Sequence, residues 1–245
     1  AQGAVTEGEP VHFCVPTGNF GNILSAFYAK EMGLPIGRLL CASNSNNVLT
    51  DFIATGKYDR NRPFYNTVSP SMDILISSNL ERLLYLLSGG DDKLVAGYMK
   101  ELSDTGCYQV SEEMRKKIQS VFVGGFSSEA ETEATIGKMM DEHKYLIDTH
   151  TAVAFHVLEQ YRKETGDQTK TVVASTASPF KFCDAVLDAL NVTDKATGTA
   201  LLDQLAEVSG MPAPQPLATL KDKQVRFTSW TEKEQMRAVV TDFLK

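Results

Sequence analysis

The sequence predicts an α/β protein built on an open, mostly parallel sheet flanked by helices. Three observations carry that reading: a strand–helix–strand unit over residues 11–43, a second strand-to-helix junction over residues 170–190, and apolar residues at helical spacing through much of the remainder. With 245 residues, 42% apolar and 9% aromatic, the chain has enough apolar side chain for one large core or two small ones.

Val11-His12-Phe13-Cys14-Val15 reads as a buried strand, and Gly21 to Met32 as a helix with Ile23, Leu24 and Phe27 on one face. Gly33-Leu34-Pro35 stops that helix, and Leu39 to Ser43 forms the next strand. Parallel strands joined by a right-handed crossover follow. The order strand, turn, helix leaves the first helical amides unpaired at the positive end of the helix dipole, just beyond a strand's carboxyl end. That is an anion site, most naturally for phosphate. Gly18 and Gly21 let the backbone turn tightly and let a phosphate approach without a Cβ in the way; the Asn19 and Asn22 amides add donors, and Phe20 lies between them. A lone G-x-x-G turn is a weak signal, equally at home in an ordinary strand-to-helix turn. The Walker pattern is absent, and so is the dinucleotide fingerprint, so nucleotide readings lose ground.

The second strand ends in Asn44-Ser45-Asn46-Asn47, polar groups on the same edge as the glycine turn, before a helix near Val48 to Ala54. From Tyr58 to Ser78 the chain is loop-like and includes Ser69-Pro70-Ser71-Met72-Asp73-Ile74; a connection that long is more often functional than filler. Helices follow over Asn79 to Leu87, Asp91 to Leu102 and Ser111 to Gln119, then a short strand at Val121-Phe122-Val123. Ser128 and Glu131 form a capping box that opens a helix toward Glu142. Asp148-Thr149-His150 precedes an amphipathic helix carrying Val153, Val157, Leu158 and Tyr161.

Lys170 to Ser175 is a third strand. Beyond it Ser178 caps a helix whose first position is Pro179. Thr176 stands just ahead of that cap with no capping duty of its own. A helix near Ala200 to Val208, a proline-rich connector over residues 211–216, and a capping box at Thr231 and Glu234 close the chain; the last helix carries Met236, Val239, Val240, Phe243 and Leu244 on one face. The units are a phosphate-loop βαβ unit (1–56), a loop and helical segment (57–147), a helix–strand–helix segment (148–191), and a connector with its helix (192–245).

The net charge of −7, with no concentration of Lys and Arg, argues against nucleic acid as a partner. No apolar run reaches the roughly 18 residues of a membrane span. Cys14, Cys41, Cys107 and Cys183 are far apart, with no C-x-x-C pair, which fits buried thiols in a reducing cytoplasm. His12, His143 and His156 read as structural or solvent-facing. His150, at a helix start on the ligand edge, is open to either role. No spacing suggests zinc, and no G-x-S-x-G elbow is present. The chain opens on Ala1 and a polar lead-in to Pro10, the look of a chain that begins inside something longer.

Five stretches together resemble threonine synthase: Val15-Pro16-Thr17-Gly18-Asn19-Phe20-Gly21-Asn22, Lys30-Glu31-Met32-Gly33-Leu34-Pro35-Ile36, Ser69-Pro70-Ser71-Met72-Asp73-Ile74, Asp148-Thr149-His150-Thr151-Ala152-Val153-Ala154 and Ser175-Thr176-Ala177-Ser178-Pro179-Phe180-Lys181-Phe182. The resemblance spans nearly the whole chain. It implies the C-terminal portion of a fold-type II, tryptophan synthase β-like enzyme that uses pyridoxal 5′-phosphate (PLP) to convert O-phospho-L-homoserine and water to L-threonine and phosphate. In that reading Gly18, Asn19, Phe20, Gly21 and Asn22 cradle the cofactor phosphate, and Thr176, with Ser175, faces the pyridine nitrogen. Asn44, Asn47, Ser71 and Asp73 are the candidates for the substrate phosphate, from loop position alone. Two departures stand out. Ser178 occupies a position where many relatives carry His, and the Schiff-base lysine of the family lies upstream in a Phe-Lys-Asp context that this chain lacks. Lys57, Lys144 and Lys181 have no matching context. The expectation is that the segment alone is inactive and needs the N-terminal half of the same enzyme. The alternative is a non-catalytic module that binds a phosphate ligand on a Rossmann-like scaffold.

Overall fold

The computed structural model describes residues 3–245, so Ala1 and Gln2 of the polar lead-in lie outside the described residues. The chain opens with β1 (Val11–Pro16), α1 (Gly21–Glu31), β2 (Ile36–Ser43) and α2 (Val48–Thr55). A short strand, β3 (Lys57–Asp59), precedes the long loop, which contains one 3-10 turn at Pro70–Met72. Then come α3 (Leu80–Leu87), α4 (Asp92–Thr105), β4 (Cys107–Gln109), α5 (Glu112–Val121), β5 (Phe122–Phe126), α6 (Glu129–His143), α7 (Thr149–Thr165) and β6 (Thr171–Val173). The last helices are α8 (Cys183–Ala189), α9 (Ala200–Ser209), α10 (Gln215–Ala218) and α11 (Met236–Phe243).

Four strands form a parallel sheet in the order β5-β2-β1-β6. The chain steps from β1 to β2 on one side and returns to β1's other side only with β6. The strand order therefore reverses between β1 and β6, the place in an open α/β sheet where loops splay apart into a crevice. β3 and β4 pair antiparallel in a separate two-stranded sheet. Three residues each are too few to leave a period in the sequence, so pattern reading passes over them.

One face of the sheet packs on α1, α2 and α5 through Phe20, Ile23, Leu24, Phe27, Leu49, Phe52 and Ile118, all buried with Leu39, Cys41 and Phe122. The other face packs on α7, where Val153, Ala154, Val157 and Leu158 meet Cys14, Leu40 and Ala42. Fully buried side chains of this size contribute about 1.5–3 kcal/mol each. The edge strand β5 fits between the two layers because it has no side chain at two positions. A Cβ on Gly124 would sit 2.9 Å from Thr50 Cα of α2, and one on Gly125 would sit 2.6 Å from Val157 Cγ1 of α7. A third core joins α6, α8 and α9 around Ile136, Val186, Leu187 and Leu205.

The four cysteines are free thiols. Burial pushes the Cys41 thiol up to about 12 and the Cys14 thiol higher still, so both are inert. Among the described residues no helix is long and apolar enough to cross a membrane, and no cluster of His, Cys, Asp and Glu could hold a metal ion. The C-terminal helix departs from the expected pattern: Glu232, not Thr231, precedes its first turn with no side-chain cap, and Met236, Val239, Val240, Phe243 and Leu244 are all exposed.

Candidate functional site

β1 and β6 are neighbours, with Cys14 beside Val173, so the loops leaving their carboxyl ends open onto one crevice. A cavity of about 310 Å³ fills it, and its walls include Gly18, Asn19, Phe20, Gly21, Asn22 and, across from them, Thr176. The helix that follows β1 begins at this edge. So does α7, which runs back antiparallel to the strand it precedes. Two helix N-termini on opposite faces of the sheet thus converge on the cavity, and both favour negative charge there.

The turn keeps its amides for a ligand. Leu24 N–H bonds the Phe20 carbonyl at 3.0 Å, while the amides of Gly21, Asn22 and Ile23 have no acceptor among the described residues. The carbonyls are held from behind instead. Ser77 Oγ donates to Gly18 O at 2.8 Å, and the Asn79 backbone and side-chain amides donate to Asn19 O at 3.1 and 2.7 Å.

The conformational freedom assigned to the two glycines is realised differently. Neither Gly18 nor Gly21 has a positive φ; the left-handed residue is Phe20, at φ 66°, preceding the first turn of α1. A bulky residue there carries backbone strain. Burial offsets it: Phe20 is 2% exposed, its ring centroid 5.4 Å from that of Phe122. Gly18 earns its place by close approach, since a Cβ would meet Ser71 O at 3.1 Å and Met72 Cα at 3.2 Å. At Gly21 the nearest atom to an added Cβ is Asn79 Nδ2, at 3.4 Å.

The remaining candidates separate. Ser71 lines the cavity with Met72, Asn79 and His150. Ser175 is not among the lining residues, and its Oγ lies 3.4 Å from Thr151 Oγ1, whose own proton goes to Asp148, so Ser175 is the donor. Asn44 is buried, and its Nδ2 shares its two protons among Thr67 Oγ1 at 2.8 Å, Ser69 Oγ at 3.0 Å and Asp73 Oδ1 at 2.8 Å. Asp73 also accepts from Asn46 Nδ2 and the Thr67 amide. Asn44 and Asp73 thus knot the long loop to the end of β2 and have their hydrogen-bonding capacity consumed there. Asn47 accepts from Arg62 at 3.0 Å and lines a separate cavity of about 370 Å³ with Ser45 and Tyr65. Ser178 accepts from the Phe180 amide at 3.3 Å, the expected cap, on a 3-10 turn that leads into α8. Sequence reading passed over Asn79, whose side chain bonds a carbonyl sixty positions away, a role no local pattern announces.

His150 is 2% exposed, with Nδ1 3.0 Å from Asp148 Oδ1 and Nε2 accepting the Ser71 amide at 3.2 Å. Asp148 caps α7, accepting the His150 amide at 2.9 Å and the Thr151 hydroxyl. Burial pushes the Asp148 carboxyl up, but the bonds from His150, Thr151 and the His150 amide outweigh it and leave the group below its usual range. No lysine is among the residues lining the cavity.

An amide cradle at a strand-to-helix junction, with a hydroxyl on the neighbouring strand's loop, belongs to an α/β fold of the fold-type II PLP enzymes. Within that class the chain is related to the threonine synthases, matching their C-terminal portion. Residues 151–240 match the family described as "Threonine synthase, C-terminal". The chain is 42% identical over 214 residues to threonine synthase-like 1 of Homo sapiens, covering 86% of this chain and 28% of that protein. It superposes on the PLP-bound threonine synthase from Brucella melitensis with TM-score 0.80 at 36% identity, over 96% of this chain and 46% of that one. For yeast threonine synthase the TM-score is 0.82 at 33% identity, over 96% and 47%. The chain thus spans less than a third of the first relative's length and just under half of each solved structure.

Proposed function

We propose that this chain supplies the phosphate end and the ring-nitrogen end of a PLP site in an enzyme of the threonine synthase kind, a carbon–oxygen lyase that converts O-phospho-L-homoserine and water to L-threonine and phosphate. One observation carries the reading: the Gly18–Asn22 cradle and Thr176 line a single cavity. The residues fit the group, because the cradle offers unpaired amides and carries no Cβ at Gly18, where the Ser71–Met72 backbone approaches closely, or at Gly21. When bound, the cofactor supplies an electron sink for chemistry at the substrate's α and β carbons.

The work of this chain's residues is to bind and orient. The Gly21 and Asn22 amides hold the phosphate, and Phe20 fixes the turn. Thr176 is exposed, with no hydrogen-bond partner among the described residues, and would hold a neutral hydroxyl toward the cofactor's ring nitrogen, which would not force a proton onto it. Of the four candidates for the substrate phosphate, Ser71 is retained because it lines the cavity. The Schiff-base lysine belongs to the part of the enzyme preceding these residues, and the segment alone turns over no substrate. Free thiols, buried at Cys14, Cys41 and Cys183 and half-buried at Cys107, suit a cytoplasmic enzyme.

A second reading, a non-catalytic module for a phosphate ligand, draws support from the absence of lysine among the cavity's lining residues. Titration of the whole polypeptide that carries this chain separates the two. The first reading expects PLP to bind with a visible absorbance band, Gly21→Val to abolish binding, and Thr176→Asp to shift the band. Binding of a sugar phosphate or nucleotide with none of PLP favours the second.

A further inference from the structure

We propose that His150 is a positioning residue of the cavity, using its Nε2 lone pair to hold the Ser71 amide and so fix the Ser69–Asp73 turn as the wall facing Gly18. The inference rests on the reading of the cavity as a PLP site, and it begins with the Ser71 amide. In the 3-10 turn, Met72 N–H bonds Ser69 O at 3.0 Å and Asp73 N–H bonds Pro70 O at 3.1 Å, while Ser71 N–H has no backbone acceptor. Its acceptor is His150 Nε2, 79 positions away, at 3.2 Å.

A backbone N–H only donates, so Nε2 is unprotonated and the neutral ring carries its proton on Nδ1. That proton points to Asp148 Oδ1 at 3.0 Å. The Phe182 ring, 4.8 Å away between centroids, covers the imidazole. Asp148 is itself fixed as the cap of α7. Each link is held by the one behind it: helix end, carboxylate, imidazole, turn.

The turn matters to the cradle because the two touch. Ser71 O and Met72 Cα are the atoms that a Cβ on Gly18 would strike. A turn released from His150 moves away from Gly18 and widens the pocket around a bound phosphorylated heterocycle.

The test compares wild type with His150→Gln, His150→Asn and His150→Leu in the whole polypeptide that carries this chain. Three quantities are read: Ser71 amide hydrogen exchange, PLP affinity, and the ¹⁵N shifts of the wild-type His150 ring. Glutamine places an acceptor where Nε2 lies; asparagine reaches only the Nδ1 position. The Gln variant is expected to keep Ser71 protected and to bind PLP within about twofold of wild type. The Asn and Leu variants are expected to lose that protection and bind about five- to tenfold more weakly, the worth of one hydrogen bond. Wild-type affinity in the Leu variant, or a Gln variant no better than Leu, overturns the proposal. So does a wild-type ring protonated on Nε2, which decides the matter even if a variant does not fold. A wild type that takes up no PLP defeats the cavity reading instead, while the exchange and tautomer measurements still judge the hold of His150 on Ser71.

Discussion

Gly18 and Ser71 meet backbone to backbone across the cavity: a Cβ on Gly18 would lie 3.1 Å from the Ser71 carbonyl oxygen. Gly18 does not occupy the left-handed region, so alanine is conformationally allowed there and the whole effect is steric. The neighbouring turn has to give by a few tenths of an ångström. Gly18→Ala is expected to cost about 1 kcal/mol of stability and to weaken PLP binding about tenfold, equivalent to about 1.4 kcal/mol. Calorimetric melting and a cofactor titration on the same sample check both.

Gly21 predicts the opposite balance. It is the first residue of α1, and an added Cβ would meet the Asn79 side chain, with Nδ2 at 3.4 Å, an ordinary contact. Alanine there restricts the unfolded chain, so Gly21→Ala is expected to leave the melting temperature unchanged or raise stability by up to about 1 kcal/mol. Binding should still fall, because the new methyl sits among the amides that receive the phosphate. A variant that melts higher and binds worse than wild type separates a ligand role for Gly21 from a folding role.

Asp148 ties a helix cap to the cavity. Asp148→Ala leaves the His150 amide, the His150 ring N–H and the Thr151 hydroxyl without their buried acceptor and is expected to cost about 3 kcal/mol. Asp148→Asn retains an acceptor for the cap and should cost about 1 kcal/mol. The carboxyl titrates below its usual value in the folded chain, so its contribution is complete above the unfolded value of about 3.9 and fades as the pH falls from there through the folded value. The gap in melting temperature between wild type and Asp148→Asn should therefore be constant from pH 7 to about pH 5 and close in stronger acid.

The β1–α1–β2 unit was legible because Phe13 to Val15 and Leu39 to Ala42 are apolar runs and its helix has an apolar face and a Gly-Leu-Pro stop; the start of β2, with Gly37 and Arg38, left no such signal. The place of Thr176 on the cavity wall was legible because the serine cap and proline behind it marked a turn start on the ligand edge. The harder features are tertiary. Phe20 takes the left-handed conformation because its ring has a buried berth against Phe122, which no local rule foresees beside two glycines. Asn44 and Asp73 looked available on loops, but their bonds to each other and to Thr67 and Ser69 form only when the loop folds back onto the end of β2. His150 could not be placed from sequence because its partner amide is 79 positions away.

His12 and Asp167 bind the ends of β1 and of the α7–β6 loop. His12 Nδ1 accepts the Arg38 amide at 2.9 Å, so its proton lies on Nε2, 2.9 Å from Asp167 Oδ2. Tyr161 OH donates to the same oxygen at 2.8 Å and the Thr169 amide to the other at 2.9 Å. The hydrogen bond from His12, followed by those from Thr169 and Tyr161, holds the Asp167 carboxyl well below the usual range. Its side chain is 30% exposed, so solvent screens the charge, and Asp167→Asn is expected to cost only about 1 kcal/mol at neutral pH. Because the folded value lies below the unfolded one, the carboxylate stabilises at and above about pH 5 and loses that effect progressively as the pH falls past about 3.9. Melting curves from pH 7 to pH 2 should therefore fall more steeply for wild type than for Asp167→Asn and converge in strong acid. Parallel curves would mean that the carboxylate's charge contributes nothing to this junction.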